Sequence, residues 1–235
     1  MKIRHHLESK DKIVEQVSAV LGGLSVERRM ELTEVLTMQS FRKGGIVYRE
    51  SECPLHIFFL VRGKVKIYKE GINGREQIVR VYRPDEFFGY RAFFAHEIYR
   101  TTAKAFEPSV VVEIPFTFIR RLMEEDFCVA RFFIVQLSKE LGRSDERTVH
   151  LTQKHIRGRL ADTLCALVDR YGFEDDGKTL DVTMSREDLA SMSNMTTSNA
   201  IRTLSTFVEE GLVATKGRMV QLLRVDKIKE IAREG

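Results

Sequence analysis

The side chains best placed to do chemistry lie between residues 196 and 218. Thr196, Thr197, Ser198, Asn199 and Arg202 set hydroxyls, an amide and one guanidinium within two helical turns, and no acid follows before Glu209. Small polar groups let a helix enter the major groove of DNA, and an Arg there can take guanine O6 and N7 bidentately. Lys216 and Arg218 flank Gly217. Cations at the tip of a short hairpin suit phosphate.

Positioning these groups requires particular elements, and the flanking sequence supplies their signals. Ser185-Arg186-Glu187-Asp188 has capping-box spacing, a Ser with an acid three residues later. Leu189 and Met192 follow as apolar helix positions, and Ala190 is small where two helices must cross closely. Asn194 suits a tight left-handed turn. Thr196 can cap a second helix running to about Val208, which completes a helix-turn-helix pattern. Gly211-Leu212-Val213 leads into Lys216-Gly217-Arg218 and Met219–Leu223, a β-hairpin wing. A helical hairpin that packs only for stability is the competing reading.

The rest of the chain divides by pattern. Residues 8–38 have helical spacing, interrupted at Gly22-Gly23. From Phe41 to Pro115, short runs rich in Val, Ile, Phe and Tyr alternate with glycines. His56–Val61 reads as a buried strand, Lys64–Ile67 as a half-exposed one, and Gly71-Ile72-Asn73-Gly74 as a hairpin turn. These short strands predict a small antiparallel barrel or sandwich. Beyond Pro115 the pattern is helical. Ala130, Ile134, Leu137, Leu141, Ser144, Thr148 and Leu151 fall at alternating spacings of four and three. Such a seam marks a contact between two copies of a helix, with Ala130, Ile134, Leu137, Leu141 and Thr148 at the interface. A helix facing the core of its own chain is the alternative. Residues 157–171 form a further amphipathic helix that stops at Gly172, and 173–178 a polar loop.

Composition bounds the function. The 235 residues carry 38 Lys and Arg against 34 Asp and Glu, a net charge of +4, with 43% hydrophobic residues. That is a globular composition, long enough for two modest domains. Residues 155–235 hold 12 cationic and 13 acidic side chains, so any grip on phosphate there must be local. No apolar run approaches 18 residues, which argues against a membrane span, and the charged start argues against a secretory signal. Cys53, Cys128 and Cys165 stand far apart without a CxxC pair. This excludes a Cys-only zinc site and suggests a reducing cytosol. The chain has no P-loop, Gly-x-Ser-x-Gly, HExxH or zinc quartet, so no catalytic residue and no metal site is expected.

With these motifs in order, residues 35–225 resemble the CRP/FNR family of bacterial transcription regulators. The resemblance rests on Phe41-Arg42-Lys43-Gly44-Gly45-Ile46-Val47-Tyr48, Val61-Arg62-Gly63-Lys64-Val65-Lys66 and Gly74-Arg75-Glu76. It extends through Phe87-Phe88-Gly89, Arg100-Thr101-Thr102-Ala103, Arg157-Gly158-Arg159-Leu160 and the helix-turn-helix. It implies an α+β chain with three parts. These are a cyclic-nucleotide-binding-like β-roll over 1–125, a long dimerisation helix over 126–154 and a winged helix-turn-helix over 155–235. It further implies a cytoplasmic homodimer on near-palindromic double-stranded DNA, with RNA polymerase as a protein partner and no membrane.

Two departures from the family stand out. In cyclic-AMP-binding members a Glu follows the Gly of the Phe87-Phe88-Gly89 motif and takes the ribose hydroxyl; here Tyr90 and then Arg91 follow Gly89. A phenol is neutral and bulkier than a carboxylate arm. Gly89, Tyr90, Arg91, Arg100, Thr101 and Ser144 are therefore candidates for a small anionic effector, and a cyclic nucleotide stays open although the ribose-binding Glu is absent. A regulator with a vacant pocket is the alternative. On the recognition helix Arg202 matches the family's Arg, whereas Ser198 stands where many relatives have Glu, so the half-site should differ. Ser193 and Thr203 occupy positions usually apolar and should cost some packing. Three cysteines are too few for an iron–sulfur cluster. Cys128 and Cys165 read as small buried hydrophobes. Haem stays open, with His5, His6, His56, His96, His150 and His155 as candidate ligands that no motif singles out.

Overall fold

The computed structural model describes residues 9–71 and 74–235. His5, His6 and the Ile72-Asn73 centre of the expected hairpin turn lie outside the described residues. The chain forms two compact units, Met1–Gly74 with Val79–Leu141, and Arg75–Ile78 with Gly142–Gly235.

The first unit opens with α1 (Lys10–Val20) and α2 (Val26–Val35), capped by Ser9 and Ser25. Gly22 and Gly23 separate them at φ of 100° and 95°, a conformation that costs glycine little. The helical pattern stops short of residue 38. Thr37–Phe41 is instead strand β1, drawn out by antiparallel pairing with β8 (Ser109–Pro115). Tertiary pairing here overrides local spacing.

Six strands lie between: β2 (Ile46–Tyr48), β3 (His56–Arg62), β4 (Val65–Glu70), β5 (Glu76–Tyr82), β6 (Glu86–Phe88) and β7 (Thr102–Ala105). They complete two four-stranded sheets, ordered β1-β8-β3-β6 and β2-β7-β4-β5. Strand β3 is buried on both faces, which explains its unbroken apolar run. Ile57, Phe59 and Val61 join a core with α1, α2 and the helices after β8, while Phe58 and Leu60 point into the roll. Helix α3 (Tyr90–Phe94) follows β6, α4 (Phe116–Glu125) follows Pro115, and α5 (Phe127–Gln153) is the long helix. Val129 and Phe133 of α5 are buried in the first core, and Leu137 packs against it.

The second unit is built on α6 (Ile156–Tyr171), which ends at Gly172 as expected, φ 73°. It continues with α7 (Arg186–Met192), α8 (Thr197–Glu209), β9 (Val213–Lys216), β10 (Met219–Leu222) and α9 (Val225–Glu234). Helix α9 was not anticipated. Its Ile228 and Ala232 are buried. Its end lies against α6 so closely that a Cβ on Gly158 would sit 2.4 Å from the Gly235 backbone.

Candidate functional site

In the second unit the predicted helix-turn-helix is assembled by local hydrogen bonds. The Ser185 hydroxyl accepts from the Asp188 N–H at 3.0 Å, and the Asp188 carboxylate accepts from the Ser185 N–H at 3.3 Å, closing the capping box. Asn194 takes the positive φ of the turn, 50°. Ala190 and Ala200 are buried where α7 and α8 cross. Thr196 caps α8 by accepting from the Asn199 N–H at 3.2 Å. Buried Ala200, Leu204 and Phe207 fix the inner face of α8. The opposite face therefore carries Ser198, Ile201, Arg202 and Ser205 to solvent.

Asn199 Oδ1 accepts from an Arg202 Nη at 2.7 Å, so the guanidinium is held in place on the helix surface. Thr197 is half-buried beside it. Ile201, 47% exposed at the centre of this face, is not among the polar groups that the sequence singles out. Its apolar side chain suits a thymine methyl. Lys216 and Arg218 are exposed on either side of Gly217, which makes the hairpin turn at φ 60°. The expected packing cost at Ser193 is corrected. Ser193 is buried, but its hydroxyl donates to Thr163 Oγ1 on α6 at 2.8 Å, and a satisfied buried polar pair carries little penalty.

In the first unit, Gly89 caps α3 at φ 84°, and a Cβ there would lie 2.7 Å from the Phe58 ring. Only glycine fits this corner without repacking. Tyr90 turns inward against Phe94 and Phe133, at ring distances of 6.2 and 5.4 Å, and burial lifts its phenol above the ordinary range. Arg91 and Arg100 turn outward and share one carboxylate, that of Glu97, at 3.2 and 3.4 Å. The Arg91 hydrogen bond is the main reason that the Glu97 carboxyl titrates below its usual value. Thr101 is half-buried, with its hydroxyl next to Tyr48. Ser144 is exposed and belongs to the second unit.

Aromatic rings cluster inside the roll. Tyr48 stacks on Tyr99 at 3.8 Å and meets Phe58 at 5.5 Å; Phe88 touches Phe58 and Tyr82 at 5.2 and 5.3 Å. Beside them the Arg80 guanidinium pairs with Glu140 of α5 and hydrogen-bonds the Tyr82 phenol. Burial opposes the Arg80 charge, but Tyr82 and Glu140 outweigh it and raise its pKa. A phenol buried in the core stands where the ribose carboxylate would be, and the Arg100 side chain is largely exposed and paired with Glu97.

The Arg80–Glu140 pair ties β5 to α5 within the first unit. Breaking one half of a buried pair leaves a desolvated charge, at about 3–5 kcal/mol, and exposed pairs are worth less than about 1. The two side chains are partly exposed, so Arg80→Met is expected to cost about 2 kcal/mol in urea unfolding. Adding Glu140→Leu is expected to restore most of that. A single-variant loss below about 0.5 kcal/mol would count against the tie.

Cys128 is exposed, which corrects the expectation of burial, and Cys165 is half-buried. The first turn of α5 puts Cys128 on the side away from Val129. His56 is half-buried on β3, His96 is exposed after α3, and His150 lies 3.2 Å from Asp162. Among the described residues no group of three His, Cys, Asp or Glu could hold a metal ion.

A winged helix-turn-helix and a β-roll connected through one long helix define a DNA-binding regulator with a sensor-type domain. Comparison with known proteins agrees part by part. Residues 38–126 match the cyclic nucleotide-binding domain and residues 158–231 the Crp-like helix-turn-helix domain. A CRP-like cAMP-activated global transcriptional regulator of Mycobacterium tuberculosis is 22% identical over 92% of this chain and 97% of its own. The transcriptional activator protein anr of Pseudomonas aeruginosa is 27% identical over 86% and 83%. The structure of FixK2 from Bradyrhizobium japonicum superposes with a TM-score of 0.75 at 25% identity, covering 84% of this chain and 97% of that one.

The chain belongs to the CRP/FNR family of transcription regulators. Regulators of this family, which are not enzymes, bind DNA and act as dimers. Among the described residues no helix is long and apolar enough to cross a membrane.

Proposed function

We propose that this protein is a homodimer, joined along α5, that binds a near-palindromic duplex without cyclic-nucleotide control. The exposed Ser198–Ile201–Arg202 face of a firmly capped α8 carries the reading. It is a major-groove surface with one guanidinium, small hydroxyls and an apolar patch. Arg202 reads bases, Thr196, Thr197, Ser198 and Asn199 contact bases or backbone, and Lys216 and Arg218 hold phosphate. Two such helices in a dimer fall about one turn of DNA apart, roughly 34–36 Å. Ala130, Ile134, Leu137, Leu141 and Thr148 form the dimer seam. RNA polymerase as protein partner and the cytoplasm as compartment complete the proposal, supported by the resemblance to DNA-binding regulators.

Tyr90, buried where the ribose carboxylate would stand, and Arg100, already paired with Glu97, support the effector-independent reading of the sensor. A second reading has its own observation, since Arg91 and Arg100 converge on the single carboxylate of Glu97. A small anion that displaced Glu97 would bridge two guanidinium forks.

One selection experiment tests the proposal. The protein is incubated with a random duplex library at fixed salt, with and without millimolar cyclic AMP, cyclic GMP and inorganic phosphate. The expected product is an inverted repeat with half-site centres about one turn apart, enriched equally in every condition. Enrichment of no sequence would overturn the DNA reading. Enrichment only with a cyclic nucleotide would overturn the effector-independent reading, and enrichment only with phosphate would select the Arg91–Arg100 site.

A further inference from the structure

Phe127, the first residue of α5, is 72% exposed, more than any other large apolar side chain among the described residues. It stands three residues before Ala130 and so continues the 130, 134, 137, 141 seam by one more heptad position. Beside Ala130 a cavity of about 490 Å³ opens between α3, α4 and α5. Phe93, Phe94, Met123 and Ala130 form its apolar wall and Arg120 and Glu124 part of its rim. An enclosed space of about 150 Å³ already accepts benzene, so this one has ample room for a phenyl ring.

Residue register says which ring fills it. In a parallel two-stranded coil each seam side chain enters a hole formed by four residues of the facing helix at the same level. At the level of Phe127 the facing α5 is only beginning, so no earlier turn of that helix can complete the hole. Helix α4, through Met123, and α3, through Phe93 and Phe94, line the cavity beside Ala130 and can complete the hole in place of that missing turn. We propose that the partner's Phe127 occupies this socket, so that a twofold dimer is closed by two reciprocal ring insertions at the start of the seam. The inference rests on the dimer reading above and adds an anchor to it.

The chain contains no Trp, so Phe127→Trp provides the sole indole reporter. In the dimer its emission is expected to be blue-shifted and shielded from acrylamide. Dilution below the dissociation constant, or a Leu137→Gln, Leu141→Gln background, is expected to red-shift and expose it. Met123→Glu is expected to expose the indole while the mass stays that of a dimer. Phe127→Ala is expected to weaken dimerisation by about 30-fold or more, the effect of losing an aromatic interface anchor. A dimer in which the introduced indole stays solvent-exposed and Phe127→Ala associates as tightly as the parent would overturn the socket and leave the seam standing. A parent protein that is monomeric at every concentration would overturn both.

Discussion

Replacing Leu137 and Leu141 together by Gln is expected to turn the dimer into a monomer. Leu141 is 64% exposed in the single chain and Ile134 56%, an apolar stripe that one chain leaves uncovered. An Ile at the first seam position of a heptad followed by Leu at the fourth favours two parallel strands. Full burial of a Leu is worth about 1.5–3 kcal/mol, and a dimer would bury four. Leu137 already packs partly on its own core, so its share is smaller, and the expected total is about 6 kcal/mol. That is roughly four decades in the dissociation constant. Sedimentation equilibrium across nanomolar to micromolar protein reads the mass directly. DNA affinity is expected to fall to the sequence-independent range, about 10⁻⁴–10⁻⁶ M, because one reading head cannot span two half-sites. Leu141→Gln alone makes the control for folding, since Leu141 contributes little to the monomer's core. A dimeric mass for the double variant would refute the seam.

Legible in the sequence were the capping box at Ser185 and Asp188, the left-handed Asn194 and the buried strand read over His56–Val61. Each depends on residues within a few positions of one another. What escaped depends on partners far apart in the chain. Arg80 meets Glu140 sixty residues on, and Ser193 finds Thr163 thirty residues back. No local pattern announces either pair. Tyr90 departs from the family at a position the sequence shows, yet whether its ring enters a pocket or the core depends on Phe94 and Phe133. Helix α9 was legible in principle: Ile228, Ile231 and Ala232 have helical spacing, and its Ile228 and Ala232 are buried. Ile201 escaped for a different reason. An apolar residue on an exposed helix face reads as a core position until the buried face, Ala200, Leu204 and Phe207, is known.

That buried face also makes Arg202 the sharpest test of how DNA is read. Arg202→Ala is expected to weaken binding to the selected site by about 2–6 kcal/mol. The range follows from about 1–3 kcal/mol for each bidentate Arg–guanine contact, counted in both half-sites. Affinity alone does not separate a base contact from a phosphate contact, and salt does. Each phosphate contact contributes about 0.9 to the slope of log K against log salt. If Arg202 reads a base, the variant keeps the parent slope and loses discrimination at one base pair per half-site. Lys216→Ala and Arg218→Ala are expected to do the reverse. Each lowers the slope by about 2 per dimer and weakens all sequences alike. Asn199 refines the distinction, since its Oδ1 holds the Arg202 guanidinium at 2.7 Å. Asn199→Ala frees the fork without removing it, and is expected to relax discrimination at the same base pair with a smaller loss of affinity. Fluorescence anisotropy on the selected duplex and on single-base variants, at several salt concentrations, measures all of these. If Arg202→Ala lowered the salt slope and left the base preference intact, Arg202 would be a phosphate ligand. Base reading would then fall to Ser198, Ile201 and Asn199.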